Sequence, residues 1–230
     1  MEVRLLFDEY EPKVTKHFDF ANGAVAIDVV CAEQTQPGAL QSGIFLWPAA
    51  SALSHYLCDE LDLDWNHVVE LGAGCGLSGL VAARLLQQRN RNGSVIFTDR
   101  DWTSLRMIRK SVVDSGGFGS AVAIKRKALL WTEQPPAPDV KFSKFDEATD
   151  LVIGSDLVYS TESGRALLFT VSRMMPTSNT WRFLLSSSFR DPETTRILDA
   201  ACAECGLQRK LLREGYHGCW IEEYHRRQET

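Results

Sequence analysis

Residues 68–79, Val-Val-Glu-Leu-Gly-Ala-Gly-Cys-Gly-Leu-Ser-Gly, constrain this chain more than any other stretch. Val68 and Val69 lead through Glu70 and Leu71 into three alternating glycines, Gly72, Gly74 and Gly76, and then into a helical apolar pattern from Leu77. A plain strand-to-helix turn needs fewer glycines. Three of them let the backbone approach a ligand closely and adopt φ values closed to other residues. A strand entering such a turn and leaving as a helix is a unit of the doubly wound α/β sheet, whose ligands bind outside the carboxyl ends of the strands.

The rest of the chain extends this unit. Helical spacing is expected at 49–61, with Pro48 suited to a first helical position. Strands are then expected at 67–71, 94–98, 121–125, 150–154 and 182–187, alternating with helices at 77–88, 102–114, 162–175 and 193–205. Two late runs, 207–212 and 219–224, read as strands joined by a glycine-containing loop. Ahead of the alternation, residues 17–20 and 24–30 read as a β-hairpin closed by Asn22-Gly23, since Asn-Gly supplies the positive φ of a tight turn. The expectation is one α/β domain, 1–230, with residues 1–45 as an N-terminal hairpin extension and 46–230 as a Rossmann-like core. The proline-bearing stretch 133–144 is read as a loop or lid, and 33–42 as a loop.

Composition narrows the class. With 230 residues, 44% hydrophobic and 24% charged, the chain can bury a sizeable core without disulfides. It has no apolar run long enough to span a bilayer, and its start, MEVRLLFDEYEPK, lacks the basic and apolar regions of a secretory signal. The six cysteines, at 31, 58, 75, 202, 205 and 219, are irregularly spaced and read as reduced thiols of a cytoplasmic protein, with the nucleus also open. Cys202 and Cys205 could be drawn with His217 and Cys219 as a zinc set. They fall on an amphipathic helix with no second Cys-x-x-Cys, so no metal is expected. A net charge of −5 argues against nucleic acid as the main partner, and the clusters Lys125-Arg126-Lys127 and Arg226-Arg227 read as solvated surface.

The glycine loop alone admits two ligands. Gly74-x-Gly76-x-x-Gly79, with Asp99 twenty residues further on, matches a dinucleotide fingerprint. Glu70-x-Gly72-x-Gly74-x-Gly76 matches a site for S-adenosylmethionine (SAM). Glu70 fits that cationic ligand better than a pyrophosphate at the helix N-terminus. Asp99 serves either reading, because both ligands present an adenosine ribose.

Further residues carry a resemblance. The segment Trp47-Pro48-Ala49-Ala50, the Glu-Leu-Gly-Ala-Gly-Cys-Gly loop, Phe97-Thr98-Asp99-Arg100, Ala128-Leu-Leu-Trp131 and the Asp-x-x-Tyr run Asp156–Tyr159 together resemble the seven-β-strand protein-lysine methyltransferases that act on chaperones and elongation factors. Residues 17–22 are similar to the N-terminal strands of members acting on heat-shock chaperones, and 189–194 to the member acting on elongation factor 2. The resemblance implies a seven-stranded sheet with an antiparallel last strand. It implies Trp47, Glu70, Gly72, Ala73, Gly74, Gly76, Asp99, Trp131 and Ser155 as SAM-binding residues, and Asp156 and Tyr159 as the catalytic pair shaping a lysine channel. It further implies a protein substrate, with no nucleic acid or membrane partner, for a monomeric enzyme.

The residues are compatible with that chemistry. Methylating an amine requires the neutral amine, whereas free Lys has a pKa near ~10.4, so the site must desolvate the lysine and give its proton a route. Asp156 at a strand end can orient the ammonium, and Tyr159 offers a hydroxyl and a π-face to a cation. Taken singly, Asp156 and Tyr159 fit a cap and a packed ring equally well, Trp47 fits a core aromatic, and Asp101 fits the cap of the helix starting at Trp102. Two other readings remain: a non-catalytic SAM-binding scaffold and a nicotinamide-dependent oxidoreductase.

Overall fold

The computed structural model describes residues 13–33, 42–62, 64–133, 149–174, 181–188 and 192–227. The expected lid at 134–144, most of the 33–42 loop and residues 189–191 lie outside that set.

The chain opens with a hairpin of β1 (Lys13–Phe20) and β2 (Val25–Ala32), antiparallel with Phe20 opposite Val25. The turn is longer than the expected residues 21–23. It takes four residues, 21–24, with Ala21, Asn22 and Gly23 all at positive φ. Helix α1 (Pro48–Asp59) follows, then β3 (His67–Leu71), α2 (Leu77–Gln88), β4 (Gly93–Asp99), α3 (Trp102–Asp114), β5 (Val122–Ala128), β6 (Leu151–Ser155), α4 (Thr161–Met174), β7 (Arg182–Ser187), α5 (Pro192–Cys205), β8 (Leu207–Tyr216) and β9 (Cys219–Arg226). Four expected elements, β3, α2, α3 and β7, keep their bounds to the residue, helped by glycine, an Asp cap and apolar periodicity at their ends.

Seven strands form one sheet in the order β5-β4-β3-β6-β7-β9-β8, with β3 to β7 parallel and β9 antiparallel to both its neighbours. The late hairpin is longer than its sequence pattern implied. Strand β8 runs on to Tyr216 and turns through His217 and Gly218, both at positive φ, as a two-residue hairpin requires. Strand alternation splits the core in two. Val68, Val95, Leu151 and Leu184 pack with α1, α2, α3 and the β2 residues Ile27 and Val29. Val69, Ile96, Val152 and Leu185 pack with α4 and α5. Each fully buried aliphatic side chain contributes about 1.5–3 kcal/mol.

The N-terminal hairpin therefore belongs to one face of the sheet. The Ser111 and Ser115 hydroxyls of α3 accept from Val30 N (2.9 Å) and Asp28 N (3.0 Å) of β2. The chain leaves β3 for β4 and β5 on one side and returns to β6 on the other, so the topological switch lies at β3, above the glycine loop. Cys202 lies on α5 and Cys219 on β9, in different core clusters.

Candidate functional site

The ends of β5, β4, β3 and β6 lie side by side, and a cavity of about 380 Å³ opens at them, a size typical of small-molecule sites. Every residue of the expected site lines it except Glu70: Trp47, Gly72, Ala73, Gly74, Gly76, Asp99, Trp131, Ser155, Asp156 and Tyr159 all do.

Backbone groups of β4 hold the glycine loop. Ala73 N donates to Thr98 O (2.8 Å) and Gly74 N to the Asp99 carboxylate (2.9 Å), while the Thr98 hydroxyl donates back to Glu70 O (2.8 Å). Two glycines are obligatory here. Gly74 has φ +54°, and a Cβ on it would lie 2.9 Å from the Gly43 carbonyl oxygen, which is backbone and cannot swing away. Gly72 has φ +53°, and its Cβ would lie 2.7 Å from Leu157 and 3.0 Å from the Trp131 ring. The bare loop thus leaves a cradle that any side chain would fill.

Asp99 is 9% exposed. One carboxylate oxygen accepts from Gly74 N and the other from Asp101 N (2.9 Å). Burial raises its pKa, against the lowering effect of those two N–H groups. The Arg100 N–H also bonds this carboxylate; with about four lone-pair sites in all, it keeps capacity for a hydroxyl donor. Asp101 lines the cavity too, but its Oδ1 accepts from Thr103 N (2.8 Å) as the cap of α3.

Glu70 corrects the electrostatic reading of the sequence. It is 1% exposed and lies beneath the loop, away from the cavity lining. Its Oε2 accepts from Gly79 N (3.1 Å) in the first turn of α2. Burial pushes its carboxyl up to about 8, so it is largely neutral at pH 7. It braces the loop, and a charge contact with a cationic ligand is not what this placement offers.

On the other side of β3, Asp156 follows β6 at φ +51°, a left-handed conformation uncommon outside glycine. Its N–H donates to Ser186 O (2.9 Å) on β7. Its Oδ1 accepts from Ser188 N (2.7 Å) and from the Ser188 hydroxyl (2.8 Å). That hydroxyl is also 2.8 Å from Oδ2 but has one hydrogen to give, so Oδ2 retains acceptor capacity toward a ligand. The Tyr159 side chain is exposed, while its N–H donates to the Ser163 hydroxyl (3.2 Å). Ser160 and Ser163 cap α4 reciprocally, Ser163 N to the Ser160 hydroxyl (3.1 Å) and Ser160 N to the Ser163 hydroxyl (3.0 Å). A capping box therefore fixes the backbone that carries Tyr159.

Sequence reasoning missed several residues. Ser188 had a signal, because it closes the strand next to β6 and so stands at a carboxyl end. Gly43, Cys75, Leu130 and Leu157 join the lining through contacts that no local pattern encodes. The Cys75 thiol donates to Ile44 O (3.2 Å) and ties the loop to the segment before α1.

Comparison with known proteins supplies the frame. A family model described as lysine methyltransferase matches residues 29–201. Protein N-lysine methyltransferase METTL21A of Danio rerio is 32% identical over 155 residues, 66% of this chain and 64% of that protein. Protein-lysine N-methyltransferase EEF2KMT of Homo sapiens is 24% identical over 176 residues, 73% of this chain and 52% of that protein. The matched stretch thus spans between half and two thirds of these relatives' own length. A methyltransferase structure from Pyrococcus furiosus superposes with a TM-score of 0.55 at 13% identity, over 86% of this chain and 88% of that one, a likeness of fold.

Proposed function

This chain belongs to the lysine methyltransferase family, and from that premise we propose that it transfers a methyl group from SAM to a lysine amine of a protein substrate. The observation that carries the proposal is the Asp156 carboxylate at the cavity, anchored by Ser188 on one oxygen and open on the other. The residues of the cavity fit SAM: a side-chain-free loop at Gly72–Gly74, a buried acid at Asp99 with lone pairs to spare, and the Trp47 and Trp131 rings.

SAM, when bound, supplies an electrophilic methyl on a sulfonium. The chain's own groups do the rest. The Gly72-Ala73-Gly74 backbone admits the methionine part, and Asp99 accepts from the ribose hydroxyls. Asp156 draws the lysine ammonium into the cavity and accepts a hydrogen bond from it. Leu157 and the Trp131 ring give the cavity an apolar wall that favours the neutral amine. The Tyr159 hydroxyl, on backbone fixed by the α4 capping box, offers a second acceptor. Positioning of amine and methyl in line at about 3–3.5 Å accounts for most of the acceleration, since no covalent intermediate is needed.

The finer substrate is a chaperone or a translation elongation factor, and the setting is cytoplasmic. Two relatives support the choice of a protein acceptor by their printed names. The test is incubation with radiolabelled SAM and cell extract, followed by amino-acid analysis of the labelled bands. Label in methyl-lysine, lost in Asp156→Ala, supports the proposal. SAM binding without transfer, label in arginine or nucleic acid, or tight NAD binding without SAM binding would each overturn it.

A further inference from the structure

Charge is unevenly distributed along this chain. Residues 100–132 hold seven Lys and Arg against two Asp, a local +5, whereas the other residues hold 18 against 28, a net −10. The fold brings the seven to one edge of the sheet, on both of its faces: Arg126 shares the face that α3 covers, while Lys125, in register with Ile96, and Lys127 stand on the other. Arg106 and Arg109 are exposed on α3 at the spacing of one helix face, which begins at Trp102 and ends at Val113. Lys125 and Arg126 are exposed on β5, the edge strand beside that helix, and the Arg126 guanidinium donates to Leu105 O (3.1 Å) of α3. The flank reaches the cavity, since Arg100 and Leu130 line it.

Two details distinguish this surface from ordinary solvated charge. Lysines on an edge strand can serve simply to block edge-to-edge pairing, but that leaves the α3 arginines unexplained, because a helix has no edge to guard. The cationic stripe is also bracketed by exposed apolar side chains: Trp102 is 58% exposed, Val113 71% and Leu130 71%. An aromatic anchor with a charged rim is the composition of an interface rather than of bare surface.

We propose that the α3–β5 flank is the docking surface for the protein substrate and that it engages an acidic segment of that substrate. This rests on the protein-lysine methylation proposed above and deepens it, giving the partner a chemistry. Among the described residues no carboxylate pairs with Arg100, Arg109 or Lys125, while Lys110 is neutralised by Asp114 at 2.6 Å. A short acidic segment matches so few open cations. The residues outside 100–132 sum to −10, which disfavours a long nucleic acid extending past the flank. The long-range field would raise the encounter rate with an acidic partner and repel basic ones.

The test uses the double variant Arg109→Glu/Lys125→Glu, both positions lying outside the cavity lining. A fluorescein-labelled oligoglutamate, followed by anisotropy, should bind the wild type, weaken with added salt, and bind the variant about tenfold less tightly. SAM titration and thermal melting should match wild type, showing an intact fold. With the protein labelled in cell extract as substrate, KM should rise about tenfold with kcat within about twofold. Unchanged oligoglutamate binding and unchanged KM would overturn the proposal. So would duplex DNA displacing oligoglutamate from the wild type at physiological salt. A wild type that methylates no protein would sink the proposed function instead, and the oligoglutamate titration, which needs no turnover, would still decide the flank.

Discussion

Ser188 holds the Asp156 carboxylate across 32 residues of sequence, its backbone N–H donating to Oδ1 (2.7 Å) and its hydroxyl lying 2.8 Å from both oxygens. The pair joins the loop after β7 to the loop after β6, two neighbouring parallel strands. It fixes an acid that lines the cavity at the end of β6. Removing the hydroxyl leaves the N–H bond but frees the carboxylate to rotate. Ser188→Ala should therefore lower kcat about three- to tenfold with SAM affinity unchanged. Asp156→Ala should lower it by about 100-fold or more, within the range of lost acid–base catalysis. Single-turnover methylation beside calorimetric SAM titration separates the two effects.

Glu70 makes stability depend on pH. Its carboxyl is raised from 4.5 to about 8 by burial, so between those values the folded state keeps a proton that the unfolded state has released. Stability from this group is whole below pH 4.5 and falls by about 1.4 kcal/mol per pH unit up to about pH 8. Glu70→Gln keeps an acceptor for Gly79 N and has no proton to lose. The variant should melt near wild type at pH 5 and above it at pH 8.5, and parallel melting curves at the two pH values would disprove the burial argument.

Gly74→Ala meets two obstacles at once, a positive φ and the Gly43 carbonyl oxygen at 2.9 Å. Left-handed backbone costs an alanine about 1–2 kcal/mol, and relief of the contact must move the loop or residue 43. Loss of SAM binding by at least about tenfold is expected, together with a lower melting temperature, both measurable in one thermal-shift titration.

Asp99 and Asp101 divide the work of the β4–α3 junction. Asp101→Ala removes the cap of α3 and should cost about 1 kcal/mol of stability with SAM affinity nearly unchanged. Asp99→Ala should weaken SAM binding about tenfold or more, because its remaining lone pairs face the cavity. Chemical denaturation and calorimetry on the same two variants test this, and the reverse pattern would assign the ribose to Asp101.

Much of this molecule was legible before any coordinates. The ends of β3 and α2 follow from Leu71-Gly72 and Gln88, and the α3 start from Asp101, since caps and glycines act within a few residues. Misreadings have the same origin. Glu70 looked like a ligand group because it ends a strand beside the glycines, but its side chain points to the α2 face of the sheet, where Gly79 N and a lack of water await it. Residues 21–24 and 213–218 were misjudged because the pairing registers, Phe20 with Val25 and Tyr216 with Cys219, set the turn lengths.

The sequence by itself determined the alternation of strands and helices, the bare glycine loop and the acids at strand ends, because hydrophobic period, turn chemistry and capping are short-range. Only the tertiary structure decided that Ser188 meets Asp156, that Glu70 is sealed from the cavity, and that α3 packs beside the edge strand β5. Each of those facts depends on strand order, and strand order is set by which apolar faces bury together across the whole sheet, a sum over distant residues that no local window contains.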